Sequence, residues 1–406
     1  MRNNCATRYS PETGPDMPDM GVVRTLLAPR KTLFGVGAVD KVADEAKQLG
    51  AKKVLIVTDE TVLKLKIVDK VLGPLSAGGY EVDIWDKVEP EPTMPVAEAL
   101  TEFARRKEYD SVVGVGGGSS LDMAKVAALM RTNPGSLKDY VGGVPLARRG
   151  VPLLAIPTTS GTGSEATATL VVTHNKMKTG VTHPYAMPDT AIVDPALTLS
   201  LPQKVTANTG LDALSHAVEA YMSLKNNSFA DAVALQSMRL IADNLRLAYA
   251  QGGNVEARAN MSMASMLGGL SIANSSTCGG HAVAYGFAVM KQLPHGFTCA
   301  MALPFIMEYN TLAIPERIAD VAEALGEDTS GMGAREAAYE AVNAVARLNH
   351  DLGIPLSLEE LDIKHDEIPL IADETMRIQR LLSVNPRSMN RDEAIGVFER
   401  MWHGFE

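Results

Sequence analysis

The hydrophobic period changes near Leu201, and no other feature constrains the fold of this chain as strongly. Upstream, short apolar runs that end in polar residues alternate with amphipathic stretches. KKVLIVTDE, Ser111–Val115 and VPLLAIP are continuous apolar runs, as strands buried on both faces must be. Arg24–Phe34, Tyr80–Trp85, ATLVVT and TAIVD are expected as further strands. Glu60–Leu75, Val96–Lys107 and Asp122–Met130 are expected as helices between them. This alternation predicts a parallel sheet covered by helices on both faces. From Leu201 onward no segment alternates with period two. Helices are predicted over Thr209–Leu224, Ser228–Tyr249, Val255–Ile272, Gly296–Tyr309, Pro315–Leu325, Ala334–Leu352, Leu370–Ser383 and Arg391–Trp402.

A chain of 406 residues exceeds the usual size of one domain. The expected organisation is a leader over residues 1–22, an α/β domain over 23–201 and an all-helical domain over 202–406. The leader rests on composition alone, being rich in Pro, Gly and Asp. It lacks the apolar core of a signal peptide, and no apolar run reaches the length of a membrane span. The net charge is −10 without a basic run, which argues against nucleic acid as a partner. Cys5, Cys278 and Cys299 form no CxxC pair, in keeping with a reducing cytoplasm.

Four residues carry metal chemistry. In NTGLDALSHAVEAY, Asp212 and His216 are four apart and share one face of a helix. GGHAVAYGFAVMKQLPHG adds His281 and His295. One carboxylate and three imidazoles complete a first shell for Fe²⁺ or Zn²⁺. Singly, each of these residues is more often structural. The flanks Leu211, Ala213, Leu214, Ala217 and Val218 bury this helix, and a buried Asp-His pair needs the compensation that a cation gives. Cys278 is an alternative thiolate donor, although a small buried residue is the better reading with four donors in hand. Of the other histidines only His183 is kept as a pocket candidate.

Two glycine-rich loops follow predicted strands. In GVGGGSSLDMAK the backbone N–H groups, with a helix dipole behind them, can hold a pyrophosphate. A tight strand-to-helix turn gives the same composition. In IPTTSGTGSE, Thr158, Thr159 and Ser160 can hydrogen-bond a nucleotide or simply cap a turn. Asp59, ending KKVLIVTD, can accept from a ribose 2′-OH and repel a 2′-phosphate, which selects NAD over NADP. It can equally be an N-cap.

With AIVDPALTLSLP and Asn385-Pro386-Arg387, these motifs together resemble the iron-containing alcohol dehydrogenase family. The resemblance runs from Arg24 to Trp402. It implies a Rossmann-like nucleotide-binding domain followed by an all-helical metal-binding domain, the dehydroquinate synthase-like fold, with the active site in the cleft between. It implies Asp212, His216, His281 and His295 as ligands of Fe²⁺, with Zn²⁺ also suited. It matches Asp59, Gly117, Gly118, Ser119, Asp122, Thr158, Thr159, Thr162, Lys178 and Leu197 to NAD(H) contacts, and Thr169 and Ile272 to the substrate pocket. The activity implied is hydride transfer between NAD(H) and a small primary alcohol or aldehyde, or a hydroxyacid semialdehyde, with the metal polarising the substrate oxygen. A homodimer or larger homo-oligomer is implied as well.

Many members of that family carry a further histidine where this chain has Tyr285. Tyr285 is therefore a candidate proton relay, and it also resembles the hydroxyacid–oxoacid transhydrogenase branch, which retains its nicotinamide. A lyase related to dehydroquinate synthase is disfavoured, because those enzymes place a Glu among the metal ligands. A non-catalytic scaffold would have no use for the intact donor set and both loops.

Overall fold

The computed structural model describes residues 23–175, 177–291 and 293–405. The expected leader, with Cys5, lies outside them. Six strands form one parallel sheet: β1 (Lys31–Phe34), β2 (Lys53–Asp59), β3 (Glu81–Val88), β4 (Ser111–Gly116), β5 (Leu153–Pro157) and, after a separate hairpin, β8 (Thr190–Val193). Their order is β1-β8-β5-β4-β2-β3. The inner strands are buried almost throughout, and the edge strands β1 and β3 are not. Period two is still present inside the apolar runs. Leu55, Val57 and Val112 face one core layer, while Val54, Ile56, Val113 and Val115 face the other.

The chain winds outward from β2 to β3, then returns to lay β4 on the other side of β2. That reversal opens a crevice at the carboxyl ends of β2 and β4, the usual ligand position in an open parallel sheet. Asp59 and Gly116 stand there, one at the end of each strand.

After β8 every longer element among the described residues is a helix. Asn227 and Asn254 cap the helices Ser228–Ala250 and Val255–Asn274 through Ala230 N–H and Ala257 N–H. A capping box of Asn390 and Glu393 starts the last helix, Arg391–His403. These helices share one core that includes Leu214, Met238, Phe287, Phe305 and Phe398.

Four expectations change. ATLVVT does not join the main sheet: β6 (Thr169–His174) pairs antiparallel with β7 (Met177–Thr182) in a separate hairpin. β7 escaped notice because MKTGVT has no apolar run. The stretch expected as one helix over Glu60–Leu75 is two, Glu60–Lys64 and Asp69–Ala77, with Lys66 between them at φ 58°. Leu370–Ser383 likewise divides into Ile368–Met376 and Gln379–Leu382. The helix Gly279–Lys291 was not anticipated. Its opening glycine pair and run of small apolar residues give it no polar face, because much of it is buried.

The loop after β5 is fastened to the helical half by backbone contact. Gly163 has φ +58°, and a Cβ on it would stand 2.5 Å from Gly269 Cα. Conversely, a Cβ on Gly269 would meet the Gly163 carbonyl oxygen. Ser160 and Ser262 hydroxyls hydrogen-bond at 3.0 Å across the same seam. Gly269→Ala is therefore expected to cost about 1–3 kcal/mol as the seam is pushed apart. A urea-unfolding midpoint equal to that of the parent would show that the seam yields freely.

Candidate active site

The long helix Gln203–Met222 presents Asp212, His216 and Glu219 at spacings of four and three, along one face. His281 sits in the first turn of Gly279–Lys291, and His295 opens the helix His295–Asn310. The three helices converge on the Asp212 carboxylate. Its Oδ1 lies 3.8 Å from His216 Nε2 and 3.7 Å from His295 Nε2. The His281 ring is 5.0 Å from that of His216 and 5.2 Å from that of His295.

Glu219 orients His281. Its carboxylate accepts from His281 Nδ1 at 2.5 Å, from the His281 backbone N–H at 3.1 Å and from the Cys278 N–H at 2.7 Å. Gly280 makes this approach possible, since a Cβ there would stand 2.6 Å from Glu219 Oε1. With Nδ1 engaged, Nε2 is the nitrogen left to face the cluster. The start of the same helix is clasped by Asn385, which accepts from Gly279 N–H and exchanges hydrogen bonds with Asn310. Arg387 completes the clasp by lying over the Tyr309 ring, 3.9 Å from its centroid.

Burial and charge oppose each other here. Burial raises the Asp212 and Glu219 carboxyls, but the neighbouring imidazoles outweigh it and hold both below the ordinary range. Burial pushes His216 down, and it pushes His295 down to about 3 with the other imidazoles adding to the effect. For His281 burial also acts downward, but the Glu219 carboxylate prevails and raises it.

Asp212 Oδ1, His216 Nδ1 and His281 Nε2 are buried without hydrogen-bond partners. Such orphaned atoms cost free energy unless a further group satisfies them. A divalent cation among these side chains would satisfy Asp212 Oδ1 and His281 Nε2, while His216 turns its other nitrogen, Nε2, toward Asp212; one carboxylate with imidazoles suits Fe²⁺ or Zn²⁺.

Sequence reasoning passed over two members of the site. Glu219 stands in the same motif, three residues after His216, and the i+3 spacing was its signal. Cys299 is four residues after His295 on one helix face. Asp212, His281, His295 and Cys299 each offer a donor atom, and these atoms lie within 4.8 Å of one another. Burial pushes the Cys299 thiol well up. Cys278, by contrast, directs its Sγ toward the Glu219 carbonyl at 3.8 Å and stands outside this cluster. Tyr285 stacks on His295 with ring centres 5.2 Å apart and meets His281 edge-on.

On the nucleotide side, Gly117, Gly118 and Ser119 are partly exposed where the helix Gly118–Met130 begins at the crevice. Thr162 packs over Gly118, joining the two glycine-rich loops. Thr158 is buried and its N–H donates to the Gly116 carbonyl, while Thr159 is partly exposed beside Gly117. Asp59 is an N-cap: Oδ1 accepts from Val62 N–H, and Oδ2 accepts from the Ser120 hydroxyl, each at 3.0 Å. Asp122 turns inward, accepting from the Ser164 hydroxyl at 2.6 Å and from Val171 N–H at 2.9 Å. The fully buried Lys125 beside it donates to Ser164, Thr167 and the Thr169 carbonyl. These bonds tie the hairpin and the second loop to the glycine-loop helix. Lys178 pairs with Glu91 at 3.1 Å. Leu197 is packed in a core layer, so only its backbone can reach a ligand.

The substrate candidates stand on different elements. Thr169 opens the hairpin and pairs with the Thr182 hydroxyl at 3.0 Å, while Ile272 is half-buried near the end of Val255–Asn274. His183 caps a turn, its Nδ1 accepting from Tyr185 N–H.

A family model described as iron-containing alcohol dehydrogenase matches residues 29–195. A second, for the C-terminal part of the Fe-containing alcohol dehydrogenase family, matches 206–402. Long-chain-alcohol dehydrogenase 1 of Geobacillus thermodenitrificans (strain NG80-2) is 39% identical over 388 residues, spanning 95% of this chain and 98% of the relative. The crystal structure of a 1,3-propanediol oxidoreductase superposes with a TM-score of 0.91 at 38% identity, covering 94% of this chain and all of that one. The sulfoacetaldehyde reductase of Bifidobacterium kashiwanohense, solved in complex with NAD⁺, gives a TM-score of 0.84 at 28% identity, covering 94% and 99%.

Glu219→Gln keeps the side-chain shape but removes the charge that holds His281. It is expected to weaken divalent-metal binding by about 10–100-fold in competition with a chromophoric chelator. Affinity equal to that of the parent would mean that packing alone aims the ring.

Proposed function

The chain belongs to the iron-containing alcohol dehydrogenase family, and from that premise we propose that it moves hydride between NAD(H) and a small primary alcohol or its aldehyde. The observation that carries this reading is the pair of buried, orphaned donor atoms Asp212 Oδ1 and His281 Nε2, with His216 Nε2 and His295 Nε2 turned toward the same carboxylate. In this reading residues 23–201 bind the dinucleotide and residues 202–406 bind the metal, Fe²⁺ first and Zn²⁺ as the substitute.

When bound, the metal supplies a Lewis acid for the substrate oxygen, and NAD(H) supplies the hydride donor or acceptor. The protein's part is placement. Asp212, His216, His281 and His295 hold the cation, and Glu219 fixes the angle of His281. Backbone N–H groups of Gly117, Gly118 and Ser119 hold the pyrophosphate, with Thr158, Thr159 and Thr162 lining the adjoining loop. Asp59 excludes a 2′-phosphate while serving as a cap. Asp122, Lys178 and Leu197 act on the cofactor through the elements they brace. Tyr285 walls the site against His295, excludes water, and is the hydroxyl that relays a proton. Thr169 and Ile272 border the substrate.

Tyr285 also favours a second reading, a transhydrogenase that retains its nicotinamide and shuttles hydride between a hydroxyacid and an oxoacid. Turnover of paired substrates without added NAD would support it. Among the described residues no helix is long and apolar enough to cross a membrane. We place the enzyme in the cytoplasm as a homodimer or larger homo-oligomer.

Metal analysis of anaerobically purified protein, with NADH formation across an alcohol panel, tests the main reading. Asp212→Ala and His281→Ala are each expected to lose metal and turnover together. Full turnover by a metal-free variant would sink it. Asp59→Asn keeps a good N-cap and removes the charge, so NADP use should rise. Unchanged cofactor selectivity would reduce Asp59 to its capping role.

A further inference from the structure

The metal reading uses four ligands, yet five donor side chains converge. Cys299 lies one turn beyond His295 on the same helix, and its Sγ is 3.5 Å from His295 Nδ1 and 3.7 Å from Nε2. It is 1% exposed. Its sulfur and donor atoms of Asp212, His281 and His295 all lie within 4.8 Å of one another, a group that does not include His216. Two atoms of the group, Asp212 Oδ1 and His281 Nε2, are buried with no partner. A small buried thiol that merely fills space would not need to sit among unsatisfied donors.

We propose that Cys299 is a fifth donor of the centre, so that Asp212, His281, His295 and Cys299 form a second, sulfur-containing binding mode that selects Zn²⁺. The proposal rests on the metal reading above and adds a choice of donors to it. Coordination exchanges the S–H bond for an S–metal bond and releases the proton to solvent, with no change of oxidation state. A thiolate is softer than an imidazole and shifts preference from Fe²⁺ toward Zn²⁺. His216 and Cys299 become alternative fourth donors.

The probe is Co²⁺ added anaerobically to the metal-stripped, full-length protein. Binding should give visible d–d absorption together with a near-ultraviolet sulfur-to-cobalt charge-transfer band. Cys299→Ala and the nearly isosteric Cys299→Ser should keep the visible bands and lose the charge-transfer band. Their Zn²⁺ affinity, by chelator competition, should fall at least about tenfold, with Fe²⁺ affinity unchanged. Visible bands without a charge-transfer band in the parent would overturn the proposal and leave the metal reading standing. A charge-transfer band that survives in Cys299→Ser would also overturn it, since the sulfur would then be another residue's. No cobalt absorption at all would overturn both readings together.

Discussion

A carboxylate oxygen buried without a donor is the condition around which the helical half is arranged. Asp212 Oδ1 has no hydrogen bond, yet it is surrounded by imidazole nitrogens on three separate helices. Such a group is tolerable only where positive charge is supplied. The second buried carboxylate, Glu219, is satisfied on its own side by the two backbone N–H groups and the ring of His281. The pair differ in duty: Glu219 fixes geometry, and Asp212 faces the space where charge is missing. A dication among these side chains would supply the missing charge and a partner for both Asp212 Oδ1 and His281 Nε2.

The sheet half answers a different constraint. Parallel winding places the ends of β2 and β4 side by side with the chain departing in opposite directions, and the crevice left there receives the glycine-rich turn. The loop after β5 then spans from that turn to the helices, locked at Gly163 against Gly269. The glycine-rich loops and the helices that carry Asp212, His281 and His295 are thus joined by backbone contact, which would fix a bound cofactor relative to a bound metal. Lys125, wholly buried, serves the same end by joining Asp122, the second loop and the hairpin.

Much of this was legible in the residues because burial leaves a periodic trace. The inner strands announced themselves as apolar runs, and Asp212 and His216 announced a shared helix face. What stayed hidden was whatever carries no period. The helix Gly279–Lys291 is largely buried and shows no polar stripe. β7 is a surface hairpin arm stabilised by its pairing with β6 rather than by its own composition. Asp122 reads like a ligand contact in sequence, but its two oxygens are already spent on Ser164 and Val171. Glu219 shares the helix face of Asp212 and His216 by its spacing, but its hold on His281, and the place of Cys299, come only from the convergence of three helices.

The Asn385 clasp bears on the timing of synthesis. The helix carrying His281 is held at its start by a side chain that follows His295 by roughly ninety residues. At about 5–20 residues per second, a ribosome needs several seconds between delivering the final imidazole and delivering the residue that secures the helix. The start of the helix that carries His281 is therefore secured only after Asn385 has been made and has folded against Gly279.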